Sequence, residues 1–343
     1  MAFHNWNISM KLIFAVLLLC FTVCETSAQS KLRKKKEKID SILSSRYQRI
    51  SYDTNYIARP ETRLTLKARV NVSGDNIHTR GTIEGIKTTA NLHTRCKTTL
   101  SIGASYLGLS AALSVNPVSL FRKEKDYEFN LNYYSKRFSV DASYHDSKTL
   151  SGDIKSNGSY HLDEGILDMK VVNISAFYTF NHRRFSYPAA FTQSYIQLRS
   201  AGSWLAGISF QGGKIQNSKD APPSLPQYSF KTASIGLGGG YAYNFVIRKK
   251  WLIHLSAMPS FVVYNYSKQT LDGEEKKTSD PVRFNMLFNE HVAVVYNFSK
   301  RYFAGFTTVV NSSLFNDKSV VANQNKWRMR AFFGMRLWNN SKK

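Results

Sequence analysis

The sequence predicts an all-β fold, a transmembrane antiparallel β-barrel of about 12 strands with a short N-terminal periplasmic arm. Three observations carry that expectation. A unit of alternating strand, small basic turn and second alternating strand recurs along the chain. It reads Tyr133-Tyr134-Ser135-Lys136-Arg137-Phe138, then Tyr243-Asn244-Phe245-Val246-Ile247-Arg248-Lys249-Lys250-Trp251, then Tyr296-Asn297-Phe298-Ser299-Lys300-Arg301-Tyr302. An export signal precedes these units: Lys11, the apolar run Leu12 to Cys24, and the small-residue cleavage site Thr26-Ser27-Ala28 before Gln29. Finally, long polar connections alternate with short ones around an even number of strands, which leaves both termini on one side.

The first expected strand is the clearest. Leu64, Leu66, Ala68, Val70 and Val72 share one face, and Arg63, Thr65, Lys67, Arg69 and Asn71 share the other. A period of two with charge on one face suits a strand between lipid and an aqueous lumen. Strands two and three follow around Leu100 to Tyr106 and Leu109 to Val115, with a tight turn at Leu107-Gly108. Strand four sets Tyr127, Phe129, Leu131 and Tyr133 against Asp126, Glu128, Asn130 and Asn132. Strand five sets Phe138, Val140, Ala142 and Tyr144 against Asp141, Ser143 and His145. Strand six ends near Asn181, strand seven covers about 195–211, and strands eight and nine flank the Arg248 to Lys250 turn. Strands ten and eleven flank Lys300-Arg301, and the last runs from Trp327 to Leu337. Long polar loops are expected at 73–95, 117–125, 146–167, 212–228, 268–282 and 316–325, facing outside, with the short turns facing the periplasm. A soluble sandwich would need a shared dry core, and the faces opposite the apolar stripes are too polar to supply one.

Four segments result: a signal peptide at 1–28, a basic periplasmic arm at 29–60, the barrel at 61–338 and a tail at 339–343. The signal carries away Cys20 and Cys24, so Cys96 alone remains and no intramolecular disulfide can form. The net charge is +24, yet its distribution argues against nucleic acid as a partner. Residues 30–50 hold eight basic and two acidic side chains, and the turns at Lys136-Arg137, Arg183-Arg184, Arg248-Lys249-Lys250 and Lys300-Arg301 are all basic. Expected partners are outer-membrane lipid, lipopolysaccharide and, through the aromatic end Phe332-Phe333-Gly334-Met335-Arg336-Leu337-Trp338, the barrel assembly machinery. The oligomeric state is not readable.

No metal or cofactor constellation is present, since one mature cysteine and scattered histidines fit no ligand spacing. Gly238-Gly239-Gly240 lies within a strand and reads as a bulge or close-packed wall. His145 and Ser147 share a strand face, which raises a base–hydroxyl pair and a lipid-acting hydrolase as one function class. The neighbouring Asp141 puts that face in the lumen, away from lipid. The lumen itself suggests more. Strands one and twelve become neighbours on closure, so Arg63, Lys67, Arg69, Arg328, Arg330 and Arg336 form a basic wall. Asp126, Glu128 and Asp141 form an acidic wall farther round. Segregated charge of this kind favours anions in an open pore, and a filled lumen uses the same groups as internal ion pairs.

One connection breaks the pattern of short turns. Tyr178-Thr179-Phe180-Asn181-His182-Arg183-Arg184-Phe185-Ser186-Tyr187-Pro188-Ala189-Ala190-Phe191-Thr192-Gln193-Ser194 is long and apolar. Pro188 biases Tyr187 to an extended bend. Arg184, Phe185, Tyr187, Pro188 and Phe191 are therefore expected either to tuck into the lumen as a structural latch or to bind a periplasmic or lipid partner. This run, with Asp53, Tyr56-Ile57 and the Tyr106-Leu107-Gly108-Leu109 hairpin, resembles an uncharacterised family of Bacteroidetes outer-membrane barrels, domain of unknown function 4421. The resemblance covers about residue 50 to the end and implies a barrel without implying an activity. The expected function is thus a non-enzymatic outer-membrane barrel, structural or a narrow solute pore.

Overall fold

In a computed structural model of the chain, the described residues are 50–339 apart from 84, 107–108, 116–125, 224–226, 279–284 and 318–319, with a few isolated positions between 38 and 45. The expected signal segment, most of the basic arm, the Leu107-Gly108 turn, the loop at 117–125 and the tail beyond residue 339 lie outside them. The chain divides into two compact units, and the one described below begins at Ser51.

Among the described residues twelve strands make the wall. They are β2 (Thr62–Ile83), β4 (Lys97–Tyr106), β5 (Leu109–Val115), β6 (Tyr127–Tyr134), β7 (Phe138–Ser147), β10 (Leu167–Thr179), β12 (Ala201–Asn217), β13 (Tyr228–Ile247), β14 (Trp251–Leu271), β16 (Met286–Asn297), β17 (Tyr302–Asp317) and β18 (Val320–Asn339). Each pairs antiparallel with its neighbour, in the order β5-β4-β2-β18-β17-β16-β14-β13-β12-β10-β7-β6. The first and last strands are joined in register from Thr62 opposite Asn339 to Gly81 opposite Val320. Among the described residues no helix is long and apolar enough to cross a membrane.

The sequence alternation sets which face each residue takes. Leu66, Val70, Leu100, Leu131, Ile174, Leu237, Leu255 and Phe306 all point outward and are exposed. Ile102 is 75% and Trp204 68% exposed, values that water would penalise and lipid tails favour. Tyr133, Phe138, Phe245, Trp251, Phe298 and Tyr302 are exposed beside the short turns, at the level of an interfacial aromatic girdle.

At the far end the expected loops are mostly strand. β2 continues to Ile83 and turns into β3 (Ile86–Thr94), which leads through Arg95 and Cys96 into β4. β8 (Leu150–Lys155) and β9 (Ser159–Leu162) form a hairpin within 146–167, and β15 (Glu274–Thr278) pairs with the end of β14. The loops expected at 73–95, 146–167, 268–282 and 316–325 are corrected accordingly, and the one expected at 212–228 is shortened to the stretch after Asn217 and before Tyr228. Beyond the bilayer no lipid-facing side selects apolar residues, so backbone pairing continues while the apolar alternation that marks a strand stops.

β3 also pairs with β8, Thr89–Thr94 against Leu150–Lys155, which draws the two ends of the strand order together at the outer rim. Leu150, Met169 and Val171 are buried there, packed with Ile77, Leu92 and Ile215, and make a small apolar layer. In the lower half β5 and β6 stand between β4 and β7. Each pairs with one neighbour, and among the described residues no pairing joins β5 to β6.

Two backbone features shape the side nearest the irregular segment. A Cβ on Gly240 would lie 2.1 Å from the Ala257 carbonyl oxygen, and one on Gly238 2.3 Å from the Pro259 oxygen, so these glycines allow close contact of β13 and β14. The β13–β14 turn holds Arg248 at φ 50° and Lys249 at φ 54°. That left-handed region costs a residue with a side chain roughly 1–2 kcal/mol.

Candidate functional site

The lower lumen is not the polar space the alternation suggests. Leu205, Leu252, Val295 and Phe303 face inward and are buried, and Phe185, Tyr187, Ala189, Ala190 and Phe191 pack among them. The irregular connection enters the barrel from the short-turn end and supplies a core. Its centre is a single helical turn, α1 (Tyr187–Phe191), in which all five residues are buried. Ser186 caps it: its Oγ accepts from the Ala189 N–H at 3.3 Å, and Pro188 occupies the first turn, where a missing N–H costs nothing. The Thr192 and Gln193 N–H groups both donate to the Pro188 carbonyl, at 3.1 and 2.7 Å, and Gln193 turns the chain away at φ 54°.

Aromatic stacking fixes the rings. Tyr187 packs on Tyr134 at 5.8 Å, Phe177 at 5.0 Å, Phe191 at 5.4 Å and the His254 imidazole at 4.7 Å between centroids. Phe185 meets Tyr187 edge-on at 5.7 Å. Burying each ring stabilises the fold by about 1.5–3 kcal/mol.

The polar groups of the segment are matched by the wall. The Tyr187 hydroxyl lies 2.5 Å from Ser256 Oγ and 3.2 Å from His291 Nδ1, and His291 Nε2 is 3.1 Å from Asp141 Oδ2. His254 Nε2 lies 3.1 Å from Ser256 Oγ, and its Nδ1 2.7 Å from Asn244 Oδ1. Asn244 in turn donates to the Ser186 carbonyl at 3.0 Å. Gln197, from β11 (Ile196–Gln197), accepts from the Ser186 N–H at 3.0 Å and donates to the Arg184 carbonyl at 2.6 Å. β11 also pairs with β1 (Ile57–Ala58), so the entry segment closes over the connection. Lys67 of β2 reaches across to donate to the Thr192 carbonyl and to Gln193 Oε1.

The basic residues expected on one wall are distributed among distinct tasks. Lys67 holds the connection. Arg330 donates from Nε to Asn71 Oδ1 at 2.7 Å, and Arg328 donates to Asn130 across the lumen. Arg336 is buried at the short-turn end, donating to Asn297 Oδ1 at 3.1 Å and the Lys300 carbonyl at 3.3 Å, with its guanidinium 4.5 Å from the Phe303 ring centre. Arg69 is half-buried on the same strand face as Lys67. The side chain of Arg63 is outside the described set.

The acids are likewise engaged. Asp126 accepts from the Lys148 N–H at 2.8 Å and from Thr149 Oγ1 at 3.0 Å, which fixes the joint between β7 and β8. Glu128 accepts from Ser73 Oγ at 2.6 Å and lies 3.8 Å from Lys326 Nζ. Asp141 accepts from the Tyr134 hydroxyl and the Asn132 amide as well as facing His291. The two sets interleave through Lys326, which also bonds Asp75 at 3.0 Å, and a buried charge paired in this way avoids the desolvation penalty of an isolated one.

His145 turns to Asp75, with Nδ1 2.6 Å from Oδ2, while Ser147 faces Thr149 at 3.0 Å and Asp126 at 3.3 Å. The two side chains serve different partners. Of the irregular connection only its start is exposed, including Arg183 and Arg184, and Arg184 lies 3.5 Å from Asp53 and 5.1 Å over the Tyr56 ring.

Sequence reasoning did not single out Asn244, His254, Ser256, His291 or Lys326, and it gave no role to Gln193 or Gln197 in and after the irregular connection. Alternation does put His254 and Ser256 on the inward face, opposite Trp251, Ile253 and Leu255. That signal identifies the face but not the partner.

Comparison with known proteins adds a family and distant barrels. The family described as a domain of unknown function, DUF4421, matches residues 51–336. No curated protein matches the chain. Among solved structures, it is similar to the outer-membrane protease OmpT from Escherichia coli at 8% identity, covering 85% of this chain and 100% of that one with a TM-score of 0.45. It is similar to the translocator domain of the autotransporter NalP from Neisseria meningitidis at 9% identity, covering 92% and 100% with a TM-score of 0.30. For the outer-membrane protein OprG from Pseudomonas aeruginosa the values are 10%, 82% and 98%, and 0.28. It is the strand pairing and the lipid-facing belt that make this chain a transmembrane barrel.

Proposed function

The chain belongs to the DUF4421 family, and from that premise we propose that it is a non-enzymatic outer-membrane barrel whose lumen is held closed by its own segment 181–197. The observation that carries this reading is Tyr187, which is 0% exposed, stacked among wall residues and bonded to Ser256. A loop that merely crossed the mouth would not need a buried hydroxyl answered from two strands. Above it, the Asp75, His145, Lys326 and Glu128 cluster and the Leu150, Met169 and Val171 layer occupy successive levels of the lumen. Export with cleavage after Ala28, contact with lipid and lipopolysaccharide, and recognition by the assembly machinery belong to the same reading. The exposed apolar belt supports the contact with lipid, the aromatic end Phe332-Phe333 supports recognition by the assembly machinery, and the cleavage rests on the Thr26-Ser27-Ala28 motif.

The hydrolase reading has less support, because His145 and Ser147 are held apart by separate partners. A narrow anion path becomes available when the segment is displaced, since Lys67 then loses its Thr192 and Gln193 partners and stands in the lumen with Arg328 and Arg330, which keep their bonds to the wall residues Asn130 and Asn71. Planar-bilayer recording tests the proposal. The intact protein is expected to give no steady current, and the double substitution Tyr187→Ala with Phe191→Ala is expected to give one that favours anions. A steady pore current from the intact protein would refute it.

A further inference from the structure

We propose that the short-turn end of the barrel carries an oxyanion-binding cleft, built by the Arg248 to Lys250 turn against the Gln193 to Gln197 stretch, that takes a phosphate group. The cleft is lined by Lys249, Lys250 and Arg336, with Gln193, Gln197 and Asn297 as polar neighbours, and none of its lining residues is acidic. Three cations around one hollow, with no carboxylate among its lining residues, match the needs of a phosphate oxyanion, while the Gln193, Gln197 and Asn297 amides donate to the Ala190, Arg184 and Lys250 carbonyls and hold the walls in place.

The turn gives the second, independent argument. Two successive positive-φ positions in a hairpin turn are served at least strain by Asn and Gly. Here they are Arg248 and Lys249, at φ 50° and 54°. The other short basic turns, at Lys136-Arg137 and Lys300-Arg301, contain no positive-φ residue. Among the short basic turns this one keeps lysine and arginine against backbone preference, and strain retained in this way marks a position chosen for something other than turn formation. Trp251, the next residue, also lines the cleft and is exposed toward lipid, so the hollow sits at headgroup depth. The phosphate can therefore come from a phospholipid headgroup or from solution.

The proposal is independent of whether the lumen conducts, and its test is binding. The full chain is placed in phosphatidylcholine nanodiscs and titrated with inorganic phosphate, with chloride as control. A parallel set of nanodiscs containing phosphatidylglycerol is assayed for lipid retained by the protein. Saturable binding in either arm is expected, and the arm that binds identifies the source. Lys249→Gln with Lys250→Gln should weaken it at least 5-fold, by loss of two charge-assisted bonds. Lys300→Gln with Arg301→Gln, at a neighbouring turn, should leave it unchanged. Arg248→Asn with Lys249→Gly should raise the thermal midpoint of the barrel while weakening binding, a divergence that a purely structural turn would not give. Absence of binding in both arms overturns the proposal, and so does an equal loss from the Lys300 and Arg301 pair.

Discussion

Tyr187 joins packing and polar matching in one side chain. Its ring meets Tyr134, Phe177 and Phe191, and its hydroxyl completes a chain of contacts from Asp141 through His291 to Ser256 and His254. The two contributions separate by substitution. Tyr187→Phe keeps the ring and leaves the Ser256 and His291 partners short of one contact, at a cost of about 1–2 kcal/mol. Tyr187→Ala removes the ring from a close-packed site and should cost about 3–5 kcal/mol. The temperature at which the folded band disappears in gel electrophoresis of unheated and heated samples should fall in that order. Equal midpoints for all three proteins would mean that the ring is not packed in the barrel. Lys67 is the matching residue on the wall. A lysine buried to 3% exposure is tolerated because the Thr192 carbonyl and Gln193 Oε1 receive its protons.

Among the elements, the wall strands and the connection place different demands on sequence. The wall requires alternation, and so its membrane-crossing stretches were readable: Leu64 to Val72 and Tyr127 to Tyr133 keep period two where one face meets lipid. The outer hairpins are hard to read because they carry no apolar alternation: β9 is exposed, and β3 and β8 are polar apart from residues such as Leu92 and Leu150, which pack at the rim. The connection was visible as an anomaly, since Phe185 to Phe191 is too apolar for an exposed turn. Its single helical turn was not, because five residues are too few for a helical period to register. Gly238-Gly239-Gly240 tests the packing of the wall. Gly240→Ala drives a methyl toward a backbone oxygen 2.1 Å away and should destabilise the barrel by about 1–3 kcal/mol. Gly239→Ala meets nothing nearer than the Leu205 oxygen at 3.6 Å and should be neutral. The difference between the two midpoints in the same gel assay is the informative quantity, and identical behaviour would contradict the close contact of β13 with β14.

For the molecule as a whole, the lumen is organised in levels. The irregular connection and its aromatic cluster lie at the short-turn end, with polar and ionic groups above and the Leu150, Met169 and Val171 layer toward the outer rim. Little of this was legible in the sequence. The partners are far apart along the chain, Ser175 with Asn289 and Asp75 with Lys326 among them, and a strand pattern says which face a residue takes without saying what stands across from it. The link between the basic and acidic sets is hidden for the same reason, since Lys326 bridges to Asp75 and Glu128 only once the sheet has curled. The most direct measurement is thiol labelling at the centre of the lumen. Ser209 is 2% exposed and accepts from the Asn289 amide at 2.8 Å, so Ser209→Cys in a Cys96→Ser background places one small probe there. In the folded, membrane-embedded protein this thiol should resist a water-soluble maleimide, and adding Tyr187→Ala with Phe191→Ala should make it reactive. Rapid labelling of Ser209→Cys with segment 181–197 unaltered would contradict the closed lumen.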